Sequence, residues 1–211
     1  MARPAPTTLD EDTIPVPRAV RFPVELDPPA GFDPERPETW PRVAGRLEWV
    51  EGRLLYMPPC GDRQQDTVAD LVTELGSWAR AHSEFVVATS EAGMILPGGV
   101  RAADAAVWRR ADVGSYDGGF RRVPPVLAAE VGGRDEAEPT LREKARWYLE
   151  RGVAVVWMLF PVEREVVVLT SDAEDRYGVG DRVPAHHALP GLTPAVVALF
   201  RQVSLGVSAA R

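Results

Sequence analysis

The amino-acid sequence predicts an α/β domain in which helices flank a mixed β-sheet. Two segments, residues 65–81 and residues 139–151, have the apolar spacing and end signals that are typical of amphipathic helices. Between them lies "PPVLAAEV", residues 124–131, which is apolar enough for the middle of a sheet. An apolar strand bracketed by helices favours a mixed α/β sheet over a β-sandwich.

Length and composition are those of one soluble domain. The chain has 211 residues, of which 45% are hydrophobic and 26% charged, and single domains seldom exceed about 250 residues. It has no apolar run of roughly 18 residues, the length needed to cross a bilayer, and its start lacks a secretory signal. We therefore expect a cytoplasmic protein with no membrane partner.

The single cysteine, Cys60, excludes an internal disulfide and a cysteine-based zinc site.

The N-terminal part of the chain is rich in proline. Ten of the 20 prolines fall within the first 41 residues, and proline cannot donate a backbone hydrogen bond to a strand or helix. We predict an extended or partly disordered arm over residues 1–36 and a folded domain over residues 37–211. The domain begins with "RLEWVEGRLLYM", which predicts two strands around a Glu51-Gly52 turn.

The predicted helix at residues 65–81 follows this hairpin. Three short strands are expected next, in "FVVATS", "AGMIL" and "RAADAAVW", separated by Gly and Pro turns. The second helix has Pro139 near its start and Gly152 after its end. After it, "AVVWMLF" and "EVVVL" predict a hairpin, and "ALPGLTPAVVALFRQV" predicts a turn and a last amphipathic helix.

Two acidic residues lie within apolar strands. Because side chains alternate along a strand, Asp104 shares a face with Ala102 and Ala106, and Glu130 shares a face with Ala128. Alanine neighbours leave space that Val, Ile or Leu would fill in a strand built only for packing. A buried carboxylate needs a cation, hydrogen bonds or a metal. Two such acids on neighbouring strands predict an oxygen-rich site that suits Mg²⁺.

Lys144 is the candidate cation for these acids. The buried stripe of the second helix consists of Leu141, Ala145, Tyr148 and Leu149. A step of about 100° per residue places Lys144 at the edge of this stripe, where its ammonium can reach a polar pocket. Asp104, Glu130 and Lys144 form a candidate site. The alternative is that arginine or backbone amides hydrogen-bond the acids and that Lys144 is solvated.

The segment "AAEVGGRDEAEPTLREKARWYLERGVAVVWMLFP", residues 128–161, resembles the bacterial Uma-two (Uma2) family of restriction-endonuclease-like proteins in the PD-(D/E)XK nuclease superfamily. The residues that match, in the family's order, are Glu130-Val131, Lys144, Tyr148, Gly152-Val153, Trp157 and Pro161. "LEWVEGRLLYMPP", "GDRQQDTVADLVTEL", "RAADAAVW" and "ALPGLTPAVVALF" are similar to the family's opening hairpin, first helix, central strand and closing segment. The resemblance covers about residues 45–201.

The resemblance implies a restriction-endonuclease-like fold and metal-dependent hydrolysis of phosphodiester bonds in nucleic acid, with DNA as the expected substrate. By the same resemblance, Asp104 and Glu130 would hold Mg²⁺ or Mn²⁺. Lys144 would be the catalytic lysine, and Glu48 of the opening hairpin would assist. The metal and the lysine would stabilise charge on the phosphorus oxygens. A homodimer is also expected, because double-strand cutters commonly pair their sites.

Several positions depart from the family pattern near this site. They are Gln64 in place of a histidine, Ala103 in place of a proline, Gly132 in place of an in-strand lysine, Gly133-Arg134 in place of Ser-Pro, and Phe160 in place of an acidic residue. Lys144 can substitute for the lysine that is absent at Gly132. The others, with the net charge of −7, favour an alternative, a catalytically silent relative that binds nucleic acid or a protein partner.

Overall fold

The computed structural model of the chain describes residues 22–114, 118–133 and 138–208. The strands in these ranges are β1 (Val24–Leu26), β2 (Arg46–Val50), β3 (Arg53–Met57), β4 (Phe85–Leu96), β5 (Gly99–Arg109), β6 (Leu127–Val131), β7 (Val155–Phe160), β8 (Glu165–Leu169) and β9 (Glu174–Tyr177). The helices are α1 (Asp62–Ala81), α2 (Glu138–Leu149), α3 (Val196–Leu199) and α4 (Arg201–Ser208), with a 3-10 turn at Pro37–Thr39.

One sheet of nine strands organises the described residues. Its order is β1-β3-β2-β5-β6-β7-β8-β9, and β4 pairs with β5 outside this path. β6 and β7 run parallel, whereas the other pairs are antiparallel. Parallel neighbours need a long crossover connection, and α2 lies within it. The mixed sheet that the sequence predicts is confirmed.

The central junction of the sheet lies on β5. β4 pairs with β5 along its whole length, from Gly99 to Arg109. The other edge of β5 is shared, because β2 pairs only at Gly99 and Val100 and β6 pairs only at residues 105–107. We call the gap between these partners, residues 101–104 of β5, the fork. Backbone groups at such a gap need other partners, so side chains can enter the sheet there.

Helices cover both faces of the sheet. On one face, buried side chains of α1 and α3 pack against β5, β6 and β7, among them Leu71, Leu75, Trp78, Val107, Leu127, Trp157 and Leu199. On the other face, α2 packs through Leu141, Ala145 and Tyr148 against Ala106, Ala128 and Met158. None of the helices in the described ranges is long and apolar enough to span a membrane. The fork therefore lies between two helical layers.

The region predicted as two strands, "FVVATS" and "AGMIL", is one continuous strand in the structure. β4 continues through a bulge between Thr89 and Ala92, opposite residues 103–105 of β5. Ser90 and Glu91 adopt left-handed backbone conformations there, with φ of 59° and 63°. A bulge of this kind bends a strand and re-aims its side chains without ending the pairing. The prediction of two strands was wrong because the break in pattern is a bulge.

Other differences lie at the two ends of the described chain. β1 lies within the proline-rich stretch and pairs with β3 at the sheet edge, while residues 1–21 are outside the described ranges. β9 has the charged sequence EDRY, which carries no apolar pattern, and the sequence did not predict it. The expected last helix is broken at Phe200 into α3 and α4, and Val197 is 52% exposed.

The junction between β2 and β5 predicts that Gly99→Ala destabilises the protein. A Cβ at Gly99 would lie 2.6 Å from the backbone oxygen of Trp49, and overpacking of this kind costs roughly 1–3 kcal/mol. Gly76→Ala on α1 is the matched control, because a Cβ there meets nothing within 4 Å and favours the helix by about 1 kcal/mol. Urea denaturation measures both. An unchanged unfolding free energy in Gly99→Ala would contradict the close junction.

Candidate active site

The four residues predicted for the site come together at the fork. Glu48 lies on β2, Asp104 on β5, Glu130 on β6 and Lys144 on α2. β2 and β6 flank the fork, so their acids approach it from opposite sides. The crossover through α2 brings Lys144 over the end of β6, where Glu130 is the penultimate residue of the strand.

The ammonium of Lys144 joins two of the acids. Its Nζ lies 2.8 Å from Oε2 of Glu130 and 3.0 Å from Oε1 of Glu48. It also donates a hydrogen bond of 3.0 Å to the backbone oxygen of Ala102, within the fork. A lysine ammonium has three N–H donors, which matches these three oxygen acceptors. The Lys144 side chain is 5% exposed, so the alternative of a solvated helix lysine is wrong for this position.

Glu130 is the most buried acid of the site, with no exposed surface. Its second oxygen, Oε1, accepts a hydrogen bond of 2.8 Å from the hydroxyl of Tyr148. Burial raises the pKa of Glu130 from 4.5 to about 7, with Lys144 opposing the rise and Asp104 adding to it. Burial, and next the charge of Glu130, keep the pKa of Tyr148 well above 10.0, so this phenol stays a neutral donor.

Glu48 is also buried, at 1% exposed, but it has more positive neighbours. Its Oε2 accepts a hydrogen bond of 2.9 Å from Arg101, whose guanidinium lies 5.1 Å from the ring centre of Trp147. Its Oε1 lies 3.7 Å from Nε of Arg46 and 3.4 Å from the backbone nitrogen of Ala102. Burial raises the pKa of Glu48, but Lys144 and the two arginines outweigh it and lower the pKa to about 2. Glu48 is therefore a fixed anion at neutral pH.

Asp104 lines the larger of the cavities next to the fork. Its Oδ2 accepts a hydrogen bond of 2.7 Å from the backbone nitrogen of Val131, which ties β5 to β6 across the fork. The same oxygen lies 3.4 Å from Nε2 of Gln64 on α1. The adjoining cavity has a volume of about 630 Å³, and Asp104, Gln64 and Gly133 are among its lining residues. Gln64, noted above in place of a family histidine, thus contacts the site.

Two further charged residues line this cavity and were not predicted. Arg46, at the start of β2, is 7% exposed, and its Nη1 lies 3.5 Å from Oδ1 of Asp104. Glu91, on the β4 bulge, lines the same cavity; burial raises its pKa, with Arg46 opposing the rise. The arginine two residues before Glu48 was a usable signal, because residues i and i+2 share a strand face. No local pattern indicates that Glu91 faces Asp104.

The donor chemistry of the site fits a hard divalent cation. Mg²⁺ prefers oxygen ligands, keeps several waters and commonly uses one or two carboxylates. Asp104 presents a carboxylate to the cavity, whereas each oxygen of Glu130 already accepts one hydrogen bond, from Lys144 or from Tyr148. Within the described ranges, no group of three or more His, Cys, Asp or Glu side chains is placed to hold a metal. A site here would therefore depend on two acids and on water or substrate oxygens.

A sequence model of the Uma2 family, described as "Putative restriction endonuclease", matches residues 34–199. The match covers most of the chain and includes Glu48, Asp104, Glu130 and Lys144. The chain belongs to the Uma2 family.

The fold of this Uma2 protein is also found in a solved structure. A protein from Anabaena variabilis, described as a "putative nuclease belonging to DUF820", superposes with a TM-score of 0.70. The match covers 79% of this chain and 96% of that one, at 15% sequence identity, so the likeness is one of fold. No curated protein sequence matches the chain. The family model supports a nuclease function, and the solved structure supports the fold.

The raised pKa of Glu130 predicts a stability that falls as pH rises. Below pH 4.5 this carboxyl is protonated in both the folded and the unfolded chain. Between pH 4.5 and about 7 only the folded chain keeps the proton. The stability contributed by that proton is therefore present below 4.5 and lost as pH passes 7, by on the order of 3 kcal/mol. Glu130→Gln cannot titrate, so we expect it to lose less stability over this window. Urea denaturation at several pH values measures the two slopes.

Glu163→Gln, which changes an exposed carboxylate in the β7–β8 turn, is the control and should keep the wild-type slope. Equal slopes in Glu130→Gln and the wild type would mean that Glu130 is not the group whose proton stabilises the fold.

Proposed function

We propose that this Uma2 protein is a metal-dependent endonuclease that hydrolyses phosphodiester bonds in nucleic acid, with DNA as its substrate. The observation that carries the proposal is the meeting of Glu48, Asp104, Glu130 and Lys144 at the fork, beside a cavity, in a member of this family. These three acids and one lysine come from four separate elements. A hydrophobic core does not need charged side chains at its centre, so their convergence points to a function.

In this proposal Asp104 and Glu130 hold Mg²⁺ or Mn²⁺, which supplies positive charge to the phosphate and lowers the pKa of a bound water. Asp104 is the cavity-facing ligand, because its carboxylate lines the cavity. Glu130 would be the second ligand, and Lys144 and Tyr148 orient its carboxylate through one hydrogen bond to each oxygen. The backbone N–H of Val131 keeps Asp104 oriented throughout, through the bond of 2.7 Å.

Lys144 has two parts in the proposed reaction. Its ammonium compensates the buried charges of Glu48 and Glu130, and it adds positive charge beside the phosphorus oxygens as they become more negative. Glu48 fixes the ammonium from the β2 side, since three cations lower the pKa of this acid. A cation held in this way needs no reorganisation when charge develops on the substrate.

A second candidate function is a catalytically silent scaffold that binds nucleic acid or a protein partner. One observation favours it: both oxygens of Glu130 already accept hydrogen bonds within the protein, and the side chain has no exposed surface. In this alternative the charged cluster is an internal support, and cleavage of nucleic acid with Mg²⁺ or Mn²⁺ stays at the level of the chelator control.

The test of the nuclease proposal is a cleavage assay on single- and double-stranded DNA and RNA with Mg²⁺, Mn²⁺ or a chelator. We expect metal-dependent cleavage by the wild type and a loss of on the order of 100-fold or more in Asp104→Asn, Glu130→Gln and Lys144→Met. These substitutions keep side-chain size close to the original. Glu163→Gln should cleave like the wild type.

Circular dichroism and thermal melting are the controls that test whether each variant folds. Metal-dependent cleavage that survives in Glu130→Gln would contradict the assigned site. A wild type that cleaves no substrate with either metal would favour the silent scaffold.

We also propose a homodimer, because cutting both strands of a duplex calls for two copies of the site. Light scattering at assay concentration tests it. A mass of twice the 23.1 kDa chain is expected, and a monomeric mass with DNA bound would contradict it.

A further inference from the structure

Lys144 and Arg46 face different parts of the site. Lys144 and Glu48 line a smaller cavity, of about 240 Å³, on the α2 side. Arg46 lines the larger cavity together with Asp104, and it is the only Lys or Arg among the described residues lining that cavity. Among the described residues, Arg46 is therefore the cation that a ligand next to Asp104 would meet.

The placement of Arg46 suits a ligand-binding role. Its side chain is 8% exposed and lies between two acids, 3.5 Å from Asp104 and 3.7 Å from Glu48. A guanidinium has five donors in a planar fork, so it can remain beside these acids and also donate to an anionic oxygen.

The charges around Asp104 explain why a cation is needed on this side. Glu48 and Glu130 both pair with the ammonium of Lys144. Arg101 forms a second ion pair with Glu48. In the described ranges, Arg46 is the cation within 4 Å of Asp104. Glu91 adds a further carboxylate to the same cavity. When no metal is bound, Arg46 is the described cation that an anionic phosphate would meet beside these acids.

We propose that Arg46 binds the substrate phosphate in the larger cavity and at the same time holds Asp104 in its cavity-facing position. This inference rests on the proposed nuclease function for its substrate, a nucleic-acid phosphate. It adds a second cation to the proposed reaction: Lys144 compensates the buried acids and adds positive charge near the phosphate, and Arg46 contacts the anion that enters beside Asp104. Arginine suits this position because its fork matches two phosphate oxygens.

The first test measures binding in chelator, so that no metal is involved. Fluorescence anisotropy with labelled single-stranded and duplex DNA compares the wild type with Arg46→Gln and Arg46→Lys over a range of salt. We expect Arg46→Gln to weaken binding roughly tenfold or more and to reduce the salt slope by about one. Arg46→Lys should restore the slope but only part of the affinity. Arg36→Gln, an exposed surface arginine, should change little.

The second test is chemical rescue of cleavage. In Arg46→Ala we expect kcat/KM to fall on the order of 100-fold and added methylguanidinium to restore it at least partly, since the missing group opens onto the cavity. Equal ionic strength of sodium chloride should give no rescue. A purely structural role for Arg46 would lower the melting temperature without moving the salt slope or giving rescue.

The outcomes of the two tests separate this inference from the proposed function. Wild-type affinity and salt slope in folded Arg46→Gln would overturn the role of Arg46, even if the wild type cleaves. Loss of binding in Arg46→Gln, with no cleavage by the wild type, would keep Arg46 as a phosphate contact and reject the nuclease. A wild type that neither binds nor cleaves would contradict both.

Discussion

The buried ammonium of Lys144 is the interaction on which the rest of the site depends. Glu48 and Glu130 have almost no contact with solvent, and two such carboxylates repel each other strongly where water is excluded. Lys144 lies within 3.0 Å of both, so it makes their burial possible. Removing one partner from a buried ion pair costs about 3–5 kcal/mol. Stability and function are therefore expected to respond together to changes at this residue.

The sheet itself creates the place for this interaction. Because β2 and β6 share one edge of β5, residues 101–104 have no partner on that side among the strands that the structure describes. The backbone oxygen of Ala102 instead accepts a hydrogen bond from Lys144, and its backbone N–H faces Oε1 of Glu48. The side chain of Asp104 accepts a hydrogen bond from the backbone N–H of Val131. The charged side chains thus replace part of the sheet's hydrogen-bonding. Such a gap leaves an opening beside Asp104 that a continuously paired sheet would close.

The sequence predicted the mixed sheet well, because strong local signals indicated its strands and helices. The four residues named for the site lie together in the structure, and their roles stay predictions. Alanines beside Asp104 and Glu130 indicated space, and helical spacing put Lys144 at the edge of a buried stripe. Glu91 was missed because its position depends on a bulge that no local pattern marks. Arg46 was missed although its i, i+2 spacing from Glu48 on one strand face was a usable signal. β9 was missed because its charged residues have no apolar alternation. Which acid faces the cavity follows from strand pairing, which local sequence does not specify.

We propose that Asp104 and Glu130 together hold a metal at the fork. The most direct measurement is an anomalous difference map from crystals soaked in Mn²⁺ at saturating concentration. A peak within coordination distance of both carboxylates is expected. A map with no peak there would contradict the proposed metal site.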